Sequence, residues 1–119
     1  ILIEKIKKRS VVKLAPFVKR DFVYIEDAVD ALLSSINHVK ESRGIEIINV
    51  GSGKSTKIKD VAKKISEIIN VPFLTDESGY VSQDQVEEIY AEVLCAKNIL
   101  GWEPRTTLDE GLQKTVLAI

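Results

Sequence analysis

Methionine is absent from this chain, cysteine, histidine and tryptophan occur once each, and proline occurs three times. Each scarcity excludes something. A single Cys95 cannot build an internal disulfide framework, and it fits a reducing compartment, so a cytoplasmic setting is expected. With one His38 and one cysteine there is no metal-ligand cluster and no thiol–imidazole pair, so neither a metal nor a catalytic nucleophile is expected. Charge of one sign is missing too. Seventeen Lys and Arg face eighteen Asp and Glu, a net charge of −1, which gives no field to draw nucleic acid or an anionic membrane. No apolar run approaches the roughly 20 residues that span a bilayer, and no signal-peptide pattern opens the chain. The chain begins at Ile1 without an initiator and reads as a piece of a longer protein.

What is present is a globular composition, 45% apolar and 29% charged over 119 residues, enough for one domain spanning 1–119. Short β-type runs alternate with helical ones. Ile1–Arg9 sets Leu2, Ile3 and Ile6 against Lys5, Lys7 and Lys8, as an amphipathic helix does. Val11–Ala15 reads as an edge strand before Pro16, and Phe22–Ile25 as a second strand. Glu26 and Asp27 open a helix with Ala28, Leu32, Ile36 and Val39 on one expected buried face, ending at Arg43-Gly44. Ile45–Val50 carries the strongest strand pattern and runs into the Gly51-Ser52-Gly53 turn. Ser55 or Thr56 is expected to cap the next helix, striped by Ile58, Val61, Ala62, Ile65, Ile68 and Ile69. Val71–Leu74 reads as a strand, Thr75–Glu88 as a polar loop and Ile89-Tyr90-Ala91 as a last short strand. A helix through Ala96–Leu100 stops at Gly101. Thr107-Leu108-Asp109-Glu110 fits a capping box for a final helix with Leu108, Leu112 and Val116 inside. The order predicts an α/β domain with short, partly parallel strands and four to five helices, whose sheet needs a neighbour to complete it.

Three segments carry a family resemblance. Lys19-Arg20-Asp21-Phe22-Val23-Tyr24-Ile25-Glu26-Asp27-Ala28-Val29-Asp30-Ala31 is followed by Ile48-Asn49-Val50-Gly51-Ser52-Gly53. Then come Ala96-Lys97-Asn98-Ile99-Leu100-Gly101-Trp102-Glu103-Pro104 and Leu108-Asp109-Glu110-Gly111-Leu112. In this order they resemble the C-terminal, substrate-binding region of extended short-chain dehydrogenases/reductases, the NAD-dependent sugar-nucleotide epimerases and 4,6-dehydratases. The resemblance implies that Arg20 grips the diphosphate of a sugar nucleotide, a task a planar guanidinium performs with paired hydrogen bonds. It implies that Asn49 binds the nucleotide, and it places Phe22 where relatives have an aromatic near it. Alternatives stay open: Asn49 as a residue that shapes its own turn, Phe22 as core. Tyr24 and Asp27 are expected to shape the turn, Gly51 and Gly53 to permit it, and Trp102 to pack the last helix.

The same resemblance implies NAD or NADP in the parent enzyme, held by an N-terminal Rossmann domain that is not in this chain. The partners implied are that domain, a sugar nucleotide, and a second parent chain in a homodimer. The family's Tyr-x-x-x-Lys pair is missing: Ala28, Asp84 and Leu94 stand four residues after Tyr24, Tyr80 and Tyr90. No catalytic residue and no bound cofactor are therefore expected here. The family's "R-x-G-D" arginine has no counterpart in Asp76–Gln85, which leaves the substrate class open. Two rivals are a non-enzymatic sugar-nucleotide-binding or oligomerising module and a phosphate-loop fragment. Gly51-Ser52-Gly53-Lys54-Ser55 follows a strand pattern as a phosphate loop would, but Ile48 stands where the first glycine belongs.

Overall fold

The structure, a computed structural model, describes residues 2–78 and 86–119. Much of the acidic loop expected without its arginine, residues 79–85, lies outside the described residues, as does Ile1. The described elements, in order, are α1 (Leu2–Lys7), β1 (Val11–Lys13), β2 (Lys19–Asp21), α2 (Ile25–Val39) and β3 (Ser55–Lys57). They continue with α3 (Ile58–Ile69), β4 (Leu74–Asp76), α4 (Leu94–Leu100) and α5 (Leu108–Ala118). β1 runs parallel to β4, and β2 runs antiparallel to β3 with Arg20 opposite Thr56. The α/β reading with short, partly parallel strands holds, but as two separate strand pairs.

Two apolar clusters form the interior. Ile6, Val12, Leu14, Val61, Ala62 and Ile65 make the larger one, with Phe22, Leu108, Leu112 and Val116 packed against it. Here the α3 and α5 stripes face inward as their periodicity predicts. The smaller cluster joins Ala31 of α2, Ala96 of α4 and Trp102, so the indole sits between α2 and α4 rather than on the last helix. Its N–H donates to the Asp27 carbonyl oxygen at 2.9 Å. Asp27 itself is buried, and its carboxylate accepts from the Thr106 N–H at 2.9 Å and from the Thr106 hydroxyl at 3.2 Å. α4 ends at Gly101 in the left-handed conformation (φ 63°). α5 begins with the expected box, Glu110 N–H to the Thr107 hydroxyl and Thr107 N–H to the Glu110 carboxylate.

Several expectations shift, for physical reasons. The strand expected at Phe22–Ile25 lies at Lys19–Asp21, because its partner β3 spans only three residues and Asp21 turns away to bind other amides. β3 takes Ser55 and Thr56, so neither caps α3, and Lys57 stands at its N-cap without a side-chain bond. β4 starts at Leu74, beyond Pro72, which has no N–H to give a ladder. Ile89-Tyr90-Ala91 forms no strand, although Lys19 and Glu88 make an isolated bridge just before it. α2 ends at Val39, well before Gly44.

The largest departures concern apolar surface. Ile45–Val50 is not a strand, and Ile45 and Ile47 are 95% and 88% exposed. Strand propensity needs a partner edge, and no described segment offers one. The α2 stripe faces outward as well: Leu32, Ile36 and Val39 are exposed, while Asp27 and Ala31 are the helix's buried residues. Thr107→Ala removes a hydroxyl that caps α5 and is expected to cost about 1 kcal/mol in urea unfolding, since cap losses run at about that size.

Candidate substrate site

β2, the turn after Val50 and the segment through Tyr90 converge on a cavity of about 380 Å³, an open one lined in part by Arg20, Asn49, Val50, Ile89 and Tyr90. Arg20 and Asn49 lie 29 residues apart in sequence, and the fold brings them to one place. The device that does so is Asp21. Its carboxylate accepts from the Ser52 N–H at 2.8 Å, the Gly53 N–H at 3.0 Å and the Ala91 N–H at 3.0 Å, and from the Ser52 hydroxyl. Burial pushes the Asp21 carboxyl up, but these four bonds outweigh it and hold it below its ordinary value of 3.8. Gly51 is required by close approach: a Cβ there would stand 2.5 Å from both the Ala91 Cβ and an Asp21 carboxylate oxygen. Gly53 is required by its left-handed backbone (φ 71°).

Arg20 is already half committed. Its Nη1 donates to the carbonyl oxygens of Lys19 at 2.6 Å, Val86 at 3.0 Å and Glu87 at 3.4 Å. Nε and Nη2 make no hydrogen bond among the described residues, and they leave donors for a ligand. The Asn49 amide is exposed and likewise makes no side-chain bond among the described residues. This does not fit the alternative in which Asn49 holds its own turn. Lys19 and Ser55 bind the Glu88 carboxylate, Lys19 at 3.3 Å, and so fasten the third segment to the first two.

Phe22 is not brought to this cavity. Its half-buried ring packs on the larger cluster, as the core alternative has it, and also lines a neighbouring groove. Sequence reasoning missed Ile89 and Tyr90, whose place depends on the bridge to Lys19 and left no local signal. Asp21 stood beside Arg20 in a recognised segment, yet its partners lie 31 to 70 residues away. The phosphate-loop rival fails on geometry. A helix does not follow the glycine turn, β3 does, and the Ser52 and Gly53 amides are spent on Asp21.

Residues 1–51 match the NAD dependent epimerase/dehydratase family. The chain is similar to a UDP-glucuronate 4-epimerase of Thermodesulfobacterium geofontis, at 32% identity over 98 residues, covering 82% of this chain and 29% of that protein. Among solved structures it overlays a UDP-glucose 4-epimerase of Thermotoga maritima, solved with UDP-glucose, with a TM-score of 0.81 and 28% identity. That overlay covers 98% of this chain and 37% of the other. It also overlays MoeE5 in complex with UDP-glucuronic acid and NAD, at a TM-score of 0.82 and 25% identity, covering 98% of this chain and 38% of that one. The relatives include sugar-nucleotide epimerases, reductases and a decarboxylase. The chain spans less than a third of the first curated relatives it matches, 28% to 31% of their length.

Asp21→Asn keeps the shape but turns an amide donor toward backbone donors, and about 1–3 kcal/mol is expected to be lost at neutral pH. Because the folded carboxyl lies below 3.8, its contribution is complete above that value and disappears as pH falls through the lower folded value. The advantage of the natural chain over Asp21→Asn should therefore shrink on acidification from about pH 6 to about pH 3, measured by urea unfolding.

Proposed function

We propose that this chain is the substrate-side part of an NAD-dependent sugar-nucleotide epimerase or 4,6-dehydratase, and that it holds the nucleotide diphosphate while another domain carries out the redox chemistry. The observation that carries the reading is the convergence of Arg20 and Asn49 on one cavity with free guanidinium donors and a free amide. A guanidinium pairs with phosphate oxygens, and an amide that both donates and accepts suits a base or ribose edge. The UDP-sugars in the solved relatives support the same ligand class.

NAD or NADP belongs elsewhere in the parent. A dinucleotide turn needs free backbone N–H groups at a helix start, and here the glycine turn's amides are bonded to Asp21 and lead into β3. The cofactor does not fit these residues. The outward stripe of α2 and the unpaired Ile45–Val50 segment are where the dinucleotide-binding domain of the parent would dock, giving the segment a ladder and the stripe a cover. The thinness of the described chain, 17 Å along its shortest axis, supports a part that lies against a larger body. No described helix is long and apolar enough to cross a membrane. The homodimer and the cytoplasmic setting enter this proposal on the resemblance alone.

Calorimetric titration with UDP-glucose and UDP-glucuronic acid tests the half-site. Binding should weaken about tenfold in Asn49→Ala and about tenfold or more in Arg20→Ala, the size expected when a hydrogen bond to a charged group is lost. Absence of binding by the folded chain, or equal binding by both variants, would sink the proposal.

A further inference from the structure

The glycine turn has a second side. A second groove of about 290 Å³ is lined by Lys54 and Thr56 after the turn, Arg105 before α5, and the apolar side chains of Phe22, Pro104 and Leu108. Stretches far apart in sequence build it, and its lining shares no residue with that of the first cavity, although Thr56 stands opposite Arg20 in the β2–β3 ladder.

Its chemistry is one-sided. Among the described residues no carboxylate lines the groove. The Lys54 ammonium and the Arg105 guanidinium make no hydrogen bond and no ion pair among the described residues, whereas Lys19, Lys59, Lys64, Lys97 and Lys114 each have a carboxylate. The acid nearest Arg105 in sequence, Glu103, is held by Lys97 at 2.7 Å, and the Arg105 charge acts on it only as the weakest of the influences that lower its carboxyl. Asp27 and Glu110 lie close by, but they are engaged by Thr106 and Thr107 rather than on the groove wall. The Thr56 hydroxyl makes no hydrogen bond among the described residues and is a ready donor. The α5 start does not contribute, because its capping box already takes the Thr107 and Glu110 amides.

We propose that this groove is a second ligand site, which takes a small organic anion: an oxyanion head between Lys54 and Arg105 and an apolar body against Phe22, Pro104 and Leu108. A guanidinium and an ammonium together match a phosphate monoester or a carboxylate, one by a planar fork and the other as a point charge. The volume lies at the small end of ligand cavities, about 300–1,000 Å³, so the ligand is small. Lys54, the residue that a phosphate loop would have used, meets an anion here through side chains instead of a cradle of amides. The proposal does not rest on the sugar-nucleotide reading of the first cavity.

NMR titration of the 15N-labelled chain with phenyl phosphate, phenylacetate, inorganic phosphate and benzyl alcohol tests it. Phenyl phosphate or phenylacetate should give saturable shifts confined to the amides of Lys54, Thr56, Arg105 and Leu108, with inorganic phosphate weaker and benzyl alcohol silent. Whichever aromatic anion binds more tightly identifies the head group, phosphate or carboxylate. Lys54→Gln and Arg105→Gln, both at exposed positions, should each weaken binding about tenfold, the loss expected for a charge-assisted bond, while Asn49→Ala leaves it unchanged. Shifts that fail to saturate, that spread over the whole chain, or that persist undiminished in both variants would overturn the proposal. A matching loss in Asn49→Ala would place the anion in the first cavity and equally overturn it.

Discussion

The Asp21 carboxylate is the point through which three distant stretches of backbone are joined. It receives N–H groups from the glycine turn and from Ala91, together with the Ser52 hydroxyl, and it does so from the end of a strand only three residues long. Such charge-assisted bonds are roughly twice as strong as neutral ones, and backbone donors left without them would lose a partner away from water. Gly51 exists to let this happen, since no side chain fits between Ala91 and the carboxylate. With the Glu88 contacts of Lys19 and Ser55, that junction brings Arg20, Asn49 and Tyr90 to one cavity.

Six residues further on, Asp27 does the corresponding work for the other side of the molecule. Its carboxylate caps the approach to α5 through Thr106, and its carbonyl oxygen holds the Trp102 indole against α2 and α4. The segment from Lys19 to Asp27 thus reaches both apolar clusters: Phe22 packs on the larger, Val23 on the smaller, and Asp27 holds Trp102 by a hydrogen bond. This arrangement leaves α2 with two faces of different character. The small and polar side, Asp27 and Ala31, packs within the chain, and the side carrying Leu32 and Ile36 faces away. A large apolar surface of this kind marks an interaction face, and it agrees with a chain that spans less than a third of its relatives.

Arg20 shows how a side chain proposed to bind a ligand can also serve as a tether. One terminal nitrogen secures the Val86–Glu87 backbone to β2, and Nε and Nη2 make no hydrogen bond among the described residues. The fork geometry makes this division possible, because the guanidinium has five donors fixed in one plane. A lysine at this position would have to choose.

Where the information for an element is local, the sequence by itself determined it. The Thr107–Glu110 box, the stop at Gly101 and the inward stripe of α3 all depend on residues within a turn or two of each other, and all are present. The segments around Arg20 and around Asn49 could each be picked out for the same reason, but that the two meet at one cavity could not. Only the tertiary structure decided which apolar face of α2 is inward, that Ile45–Val50 finds no ladder among the described residues, that Phe22 packs against the larger cluster, and that Tyr90 lines the cavity. Periodicity shows that a helix has an apolar side and a run has strand character. Which surface meets that side, and whether an edge is there to pair with, depends on groups far away in the chain or outside it.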